Sequence, residues 1–264
     1  MVLLITLPTL ILPGSSPDVT QIVMLVALFG AALTIFEYAS SYPGLVEFRD
    51  APPFNRIRFG SLFITVLCLS LITRSYILGA SDAPLVESIG ALIGQIIDFP
   101  YSPVRLVVLM LPENTSVEHI TLVRTAAGMA YLISLLTLAI FMILQRLRNW
   151  PMRTGAFNVW INPPTFDPTA GGDVVERLER DARFNVALGF LLPFLTPAVI
   201  KSASTLFGSV SLENPQTLIW TVAAWAFLPA SLFMRGIAMG RIANMITEKR
   251  RQSSAAEEGE MLPA

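Results

Sequence analysis

Apolar positions are gathered into five long blocks, residues 19–40, 59–79, 122–144, 186–207 and 216–239, separated by stretches that hold most of the charge. Each block has the ~20 consecutive apolar residues that a helix needs to cross a bilayer core. In lipid every backbone polar group must be satisfied within the segment, so a chain built of such blocks spans as helices. The pattern therefore predicts an all-α integral membrane protein with five transmembrane helices. Between the third and fourth blocks lies the longest polar stretch, residues 145–185, which must join two spans.

Two further apolar stretches do not fit a span. Residues 2–12 would reach only ~16 Å as a helix, half a bilayer. Pro8 and Pro13 interrupt the stretch and no Lys or Arg precedes it, so it makes a poor signal peptide. Residues 1–18 are expected to form an apolar interfacial segment, with re-entry into the bilayer as the variant. After the second block, Leu85, Ile89, Leu92, Ile93, Ile96 and Ile97 recur at helical spacing, with Glu87, Gln95 and Asp98 off that stripe. This predicts an amphipathic helix on the membrane face. A sixth span over residues 89–111 is disfavoured by Asp98, Pro100, Pro103 and Arg105, since a charge near a helix centre costs ~3 kcal/mol on insertion scales. Thr115 and Glu118 read as a capping box at the start of the third span.

Charge orients the spans. Placing the N-terminus outside leaves Arg74, Arg105, Arg124 and Lys201 as the only basic residues on the outer side out of eighteen. The positive-inside tendency therefore predicts a cytoplasmic 145–185 loop, a cytoplasmic C-terminus and an outer position for the amphipathic helix. Residues 247–264 read as a basic stop, Lys249, Arg250 and Arg251, followed by a disordered acidic tail. The composition agrees: 53% of the 264 residues are hydrophobic and 14% charged, against roughly 25% charged in soluble domains. A net charge of −1 gives no reason to expect a nucleic-acid partner. Compactness and the lack of a cleavable signal suggest a bacterial inner membrane, with the lipid bilayer and a membrane or cytoplasmic protein as partners.

Candidate chemistry is sparse. Cys68 is the one cysteine and sits in an apolar run, and His119 is the one histidine, so neither a multi-histidine metal site nor a bis-histidine haem can form within the chain. No cofactor is expected. Asp167, Asp173 and Asp181 do not make the acidic core of a metal-dependent lipid phosphotransferase, because Asp181-Ala182-Arg183 lacks a preceding Asp-Gly pair. Ser61 follows Gly60 at the start of a span, without the surroundings of an intramembrane serine nucleophile.

Four positions stand out inside the apolar blocks. Glu37 lies near the inner end of the first, within reach of Arg49 or Arg58, and is expected to be structural. Pro193 and Pro197 lie one turn apart in the fourth, with Lys201 a further turn along the same stripe. Such a stripe either kinks a packing helix whose lysine reaches the headgroups, or lines a polar cavity. The first option is the expectation.

The 145–185 loop has two parts. Residues 157–172 are rich in Pro, Asn, Asp and Gly yet carry Phe157, Trp160, Ile161 and Phe166, too much apolar area for a linker. Either these groups fold back on the Pro52–Pro53 loop and the membrane surface, with Trp150 and Trp160 as interfacial anchors, or Trp160, Asn162, Phe166 and Asp167 form a docking surface for a partner. Residues 173–185 alternate acidic and basic side chains and are expected to lengthen the fourth helix. The function expected from these features is a non-catalytic multi-pass subunit, scaffold or assembly factor of a larger membrane complex. A small-solute transporter or channel using the proline-kinked fourth helix is the alternative, and a lipid-modifying enzyme the third reading.

Overall fold

The computed structural model describes the chain apart from residues 15, 80–82, 148–149, 152–161, 163–170, 208–211 and 261–264. The described residues are all-helical: α1 (Val2–Ile11), α2 (Pro17–Ala39), α3 (Phe54–Leu78), α4 (Pro84–Ile96), α5 (Pro103–Leu109), α6 (Val117–Leu147), α7 (Val174–Phe207) and α8 (Pro215–Glu260). Five of these, α2, α3, α6, α7 and α8, are long and apolar enough to cross a membrane. The chain is a multi-pass helical membrane protein.

Several helices start with a proline whose missing N–H costs nothing in the first turn, preceded by a side chain that caps the orphan amides. Ser16 accepts from the Val19 N–H before Pro17, and Ser102 from the Arg105 N–H before Pro103. Asn214 takes both the Gln216 and Thr217 N–H groups before Pro215. At α6 the cap is Ser116, which accepts from the His119 N–H at 3.2 Å, and not Thr115, whose hydroxyl donates to the Pro112 carbonyl at 2.7 Å. The turn from Pro112 to Thr115 shifts the helix start by one residue from the capping box read in the sequence.

Side-chain and backbone contacts fix the helix directions. Gly236 of α8 faces Ala182 of α7, and Gly189 of α7 faces Pro229 and Phe233, so the two helices run antiparallel. A β-carbon on Gly189 would lie 2.7 Å from the Pro229 carbonyl oxygen, and one on Gly236 2.7 Å from that of Ala182. Both backbones approach because these positions have no side chain. In α3 and α6 the Thr137 hydroxyl meets Ser61 at 2.8 Å while Tyr76 lies against His119, again antiparallel. The 40–53 turn, the α6–α7 connection and the far end of α8 consequently share one end of the bundle, which carries most of the arginines and is called the basic end below.

The core has two parts. Nearer the start of α8, Leu69, Val123, Ala127, Leu218 and Val222 pack together, joined by Leu4 and Leu7 of α1. At the basic end Phe48, Phe54, Phe141, Trp150, Met234 and Ile242 form the second cluster. Helix α1 is thus packed among α2, α3 and α8, and Gln216 at the start of α8 donates to the Thr9 hydroxyl at 3.0 Å. Helix α2 packs chiefly on α1, and among its residues Ala27 and Glu37 are buried.

Helix α4 shows what solvent surrounds the bundle. Its buried residues are Gly90 and Gly94, which cross α6 at Thr125 and Gly128, whereas Leu85, Leu92 and Ile96 of the apolar stripe point away from the protein. In water the stripe would face the core; an outward apolar face fits a lipid surround. The stretch beyond is not one continuous helix. Residues 97–102 break it, and Asp98 in the break is held by Arg105 at 3.1 Å and Arg124 at 2.9 Å.

The fourth helix is lengthened by the charged 174–185 stretch as expected. Helix α8 continues to Glu260, past the basic cluster Lys249, Arg250 and Arg251. Its sequence there lacks a helix breaker until Gly259, and Glu248 gathers Arg251 and Gln252 from the next turn.

Candidate functional site

Polar and aromatic side chains converge at the basic end, so the site is built there. Helix α2 ends at Ala39, and the chain must turn back to α3 within fourteen residues. Glu37 makes that turn possible: its Oε2 accepts the Leu45 N–H at 2.7 Å and the Val46 N–H at 3.0 Å. Arg49 donates to the Ser40 carbonyl from the other side. Glu37 is therefore satisfied by backbone amides, while Arg49 binds the turn and the neighbouring Asp50 carboxylate.

The turn supports an aromatic nest. Phe48, Phe54, Phe141 and Trp150 come from the first loop, α3, α6 and the second loop, with ring centroids 4.5 to 6.3 Å apart. The Trp150 indole N–H donates to the Ala51 carbonyl at 2.9 Å, and the Trp150 carbonyl accepts from Arg241 of α8 at 3.3 Å. At 2% exposure Trp150 is enclosed by protein, which differs from the interfacial anchor read in the sequence. Phe141 lies nine residues before Trp150, but Phe48 and Phe54 come from the first loop and α3, so no local pattern could reveal the whole nest.

Asn162 reaches the same platform from the 145–185 loop. Its backbone carbonyl accepts the Phe48 N–H at 2.7 Å and its Oδ1 accepts the Asp50 N–H at 3.1 Å, and the residue is 2% exposed. The loop is thereby pinned to the first loop at Trp150 and at Asn162. Trp160, Phe166 and Asp167 lie outside the described residues.

Beneath the platform is a charge network that the sequence reading missed. Glu47 binds Arg235 of α8 at 2.6 Å, Arg235 also donates to the Asn185 side chain of α7 at 3.0 Å, and Asn185 donates to the Asp181 carbonyl at 2.7 Å. Arg58 of α3 completes the group, its guanidinium 5.4 Å above the Phe54 ring. Glu47 and Asn185 are buried. Such a pair adds little net stability but fixes which elements meet, here the first loop, α7 and α8. The available signal was Arg235 itself, a charge close to the end of an apolar block.

The stripe on the fourth helix lies elsewhere, toward the opposite end. Pro193 and Pro197 are both buried within α7. Pro197 has no N–H, so the Pro193 carbonyl loses its helical donor. The indole N–H of Trp225 in α8 supplies one at 3.0 Å. The kink is therefore closed by a packing partner. Lys201 points out of the bundle and its ammonium lies 3.4 Å from the Leu111 carbonyl after α5. Between α5, α7 and α8 is a cleft of about 510 Å³, walled by Met110, Thr196, Ile200, Trp220, Trp225 and Leu228.

Outside the spans, Asp173 at the head of α7 receives a 2.7 Å bond from Arg250 of α8. That bond holds its carboxyl below the usual aspartate range. Among the described residues no three His, Cys, Asp or Glu side chains come together to hold a metal ion. No protein-family model, curated protein or solved structure matches the chain.

Proposed function

We propose that the protein is a non-catalytic membrane subunit or scaffold that receives a partner protein at its basic end, through the 145–185 loop. The observation that carries this reading is the seating of that loop: Trp150 and Asn162 fix it to the 45–53 turn by side-chain and backbone bonds. A loop held at its root presents its remaining side chains with less ordering cost on binding. Trp160 and Phe166 are the anchors of the docking surface, Asp167 contributes to its polar rim, and Asn162 holds the surface in place. The lightly packed α2 offers a second, intramembrane face for the same complex. The transport alternative gains no support from α7, where the Pro193 carbonyl is occupied by Trp225 and the adjoining cleft is apolar.

A Trp160→Ala/Phe166→Ala double variant tests the reading. The protein should keep its thermal stability and lose its copurifying partner, since interface aromatics are worth about 2 kcal/mol or more each. Loss of stability with the partner retained would instead assign the two aromatics to internal packing.

The reading places the basic end in the cytoplasm of a bacterial inner membrane, with the N-terminus outside. The charge distribution supports it, and cysteine labelling in a Cys68→Ser background checks it. Cysteines at Gly155 and Ala255 should react from the cytoplasmic side alone and one at Thr115 from the outside alone. Labelling at Thr115 from the cytoplasm would refute this orientation.

A further inference from the structure

The outward apolar surface of α6 ends on a basic cleft. Leu136, Ile140, Met142 and Ile143 are exposed on that helix, as lipid-facing residues of a span would be. Arg146 stands one turn beyond Met142, about 6 Å further along the axis at ~1.5 Å per residue. Residues four apart share a helix face, so the exposed Arg146 side chain continues the surface that acyl chains cover. The change from apolar to charged marks the level at which chains give way to headgroups.

Arg241 of α8 shares that cleft. The two helices meet where the Gln145 amide donates to the Ile237 carbonyl at 3.5 Å. Beyond that contact a cleft of about 530 Å³ opens, lined by Gln145, Arg146, Ile237, Gly240, Arg241 and Asn244. Arg241 is steadied by one bond, from its Nε to the Trp150 carbonyl at 3.3 Å. Its two terminal amino groups remain as donors. Among the described residues neither Arg146 nor Arg241 has a carboxylate partner, unlike Arg49, Arg105, Arg124 and Arg235. Two guanidinium groups without counter-charge on one cleft suit a phosphate, whose oxygens match their forked donors.

We propose that the α6–α8 cleft binds the headgroup of an anionic phospholipid, its phosphate held by Arg146 and Arg241 and one acyl chain lying along Met142 and Ile143. Basic pockets between membrane helices recur as seats for anionic headgroups. A choline headgroup would bring its own cation to the two arginines, whereas a glycerol headgroup brings none, so the site selects by net charge. Each arginine near an anionic lipid gives about a fivefold preference, and the two together about 30-fold. Trp160 and Phe166 take no part, so the site is independent of partner docking and operates in the protein alone.

The full-length protein carrying Cys68→Ser and Met142→Cys, labelled with bimane and reconstituted in dioleoyl phosphatidylcholine vesicles, provides the test. The fluorophore then sits one turn from Arg146, within reach of a nitroxide on a bound acyl chain. Nitroxide-labelled phosphatidylglycerol should reach half-maximal quenching at about a 30-fold lower mole fraction than nitroxide-labelled phosphatidylcholine. Arg146→Gln should reduce that ratio to about fivefold and Arg146→Lys should retain it. Asn244→Glu, which brings a carboxylate to the two arginines, should remove the preference; both positions are exposed, so thermal unfolding should not change. Arg56→Gln, which removes an exposed charge at the same end of the bundle but outside the cleft, should leave the ratio as it is. Equal quenching by the two lipids, a ratio that survives either cleft substitution, or one that falls equally with Arg56→Gln would overturn the proposal. Displacement of the labelled lipid by inorganic phosphate at constant ionic strength would also overturn it, assigning the cleft to a soluble anion.

Discussion

Helices α2 and α8 differ in a direction opposite to their hydropathy. The most apolar window of α2 has a mean hydropathy of 2.3 and is 6% buried, whereas that of α8 has 1.6 and is 56% buried. Hydropathy measures the preference for lipid over water, and lipid tails are as apolar as leucine, so a very apolar helix has no reason to seek protein neighbours. What brings α8 to the centre is small residues and polar handles. Gly236 admits the α7 backbone, Trp225 completes the kinked α7 ladder, and Arg235 and Arg241 bind the two loops at the basic end. Along α2 the comparable devices are Gly30, which receives Ile5 of α1, and Glu37, which serves its own turn.

The largest effect expected from this contrast is at the far end of α8. Trp150 packs in the cluster that contains Met234, Met239 and Ile242, so Trp150→Ala should destabilise the fold by about 4 kcal/mol through the lost aromatic area and its hydrogen bond. Thermal or denaturant unfolding in detergent measures it. A change below about 1 kcal/mol would mean that the nest does not hold the loops.

Next comes the α7–α8 crossing. Gly189→Val forces a side chain against the Pro229 carbonyl, a backbone atom that cannot turn aside, and should cost about 3 kcal/mol. Phe29→Ala in α2, where the ring is 70% exposed, should change unfolding by at most about 0.5 kcal/mol. If the two substitutions had equal effects, the difference between the helices would disappear.

The smallest effect concerns the surface bond that joins the head of α7 to the far end of α8. Arg250 depresses the Asp173 pKa in the folded protein, so the stabilisation is complete above the ordinary aspartate value of about 3.9. It is lost as pH falls through the lowered folded value, because the unfolded chain then binds the proton first. Comparison of wild type with Asp173→Asn should show stabilities that converge as pH is taken from about 6 to about 3. A difference that grows on acidification would carry the wrong sign for this bond.

The five long helices were legible because a bilayer demands long apolar segments, a constraint that acts on sequence directly. The break at Asp98 was legible for the same reason: that charge could not lie in the middle of a span, and it is paired with Arg105 and Arg124. The helix extension at residues 174–185 followed from local charge alternation. Less of the site could be read. Asn162 was singled out for its loop, but nothing nearby tells that its two oxygens serve Phe48 and Asp50, more than a hundred residues earlier. Pro193 and Pro197 announced an unsatisfied carbonyl without naming Trp225 as its donor.

The sequence by itself determined the number of membrane-length apolar helices and the charge imbalance between their ends, since each depends on a residue and its near neighbours. The tertiary structure alone decided which helices touch: that α1 joins the core, that the apolar stripe of α4 faces outward while its glycines face α6, and that α8 is central and α2 peripheral. In lipid the apolar side chains of all faces are nearly equivalent. Contact is therefore chosen by where two backbones can approach and where a buried donor finds its acceptor, and both are properties of pairs of segments distant in the chain.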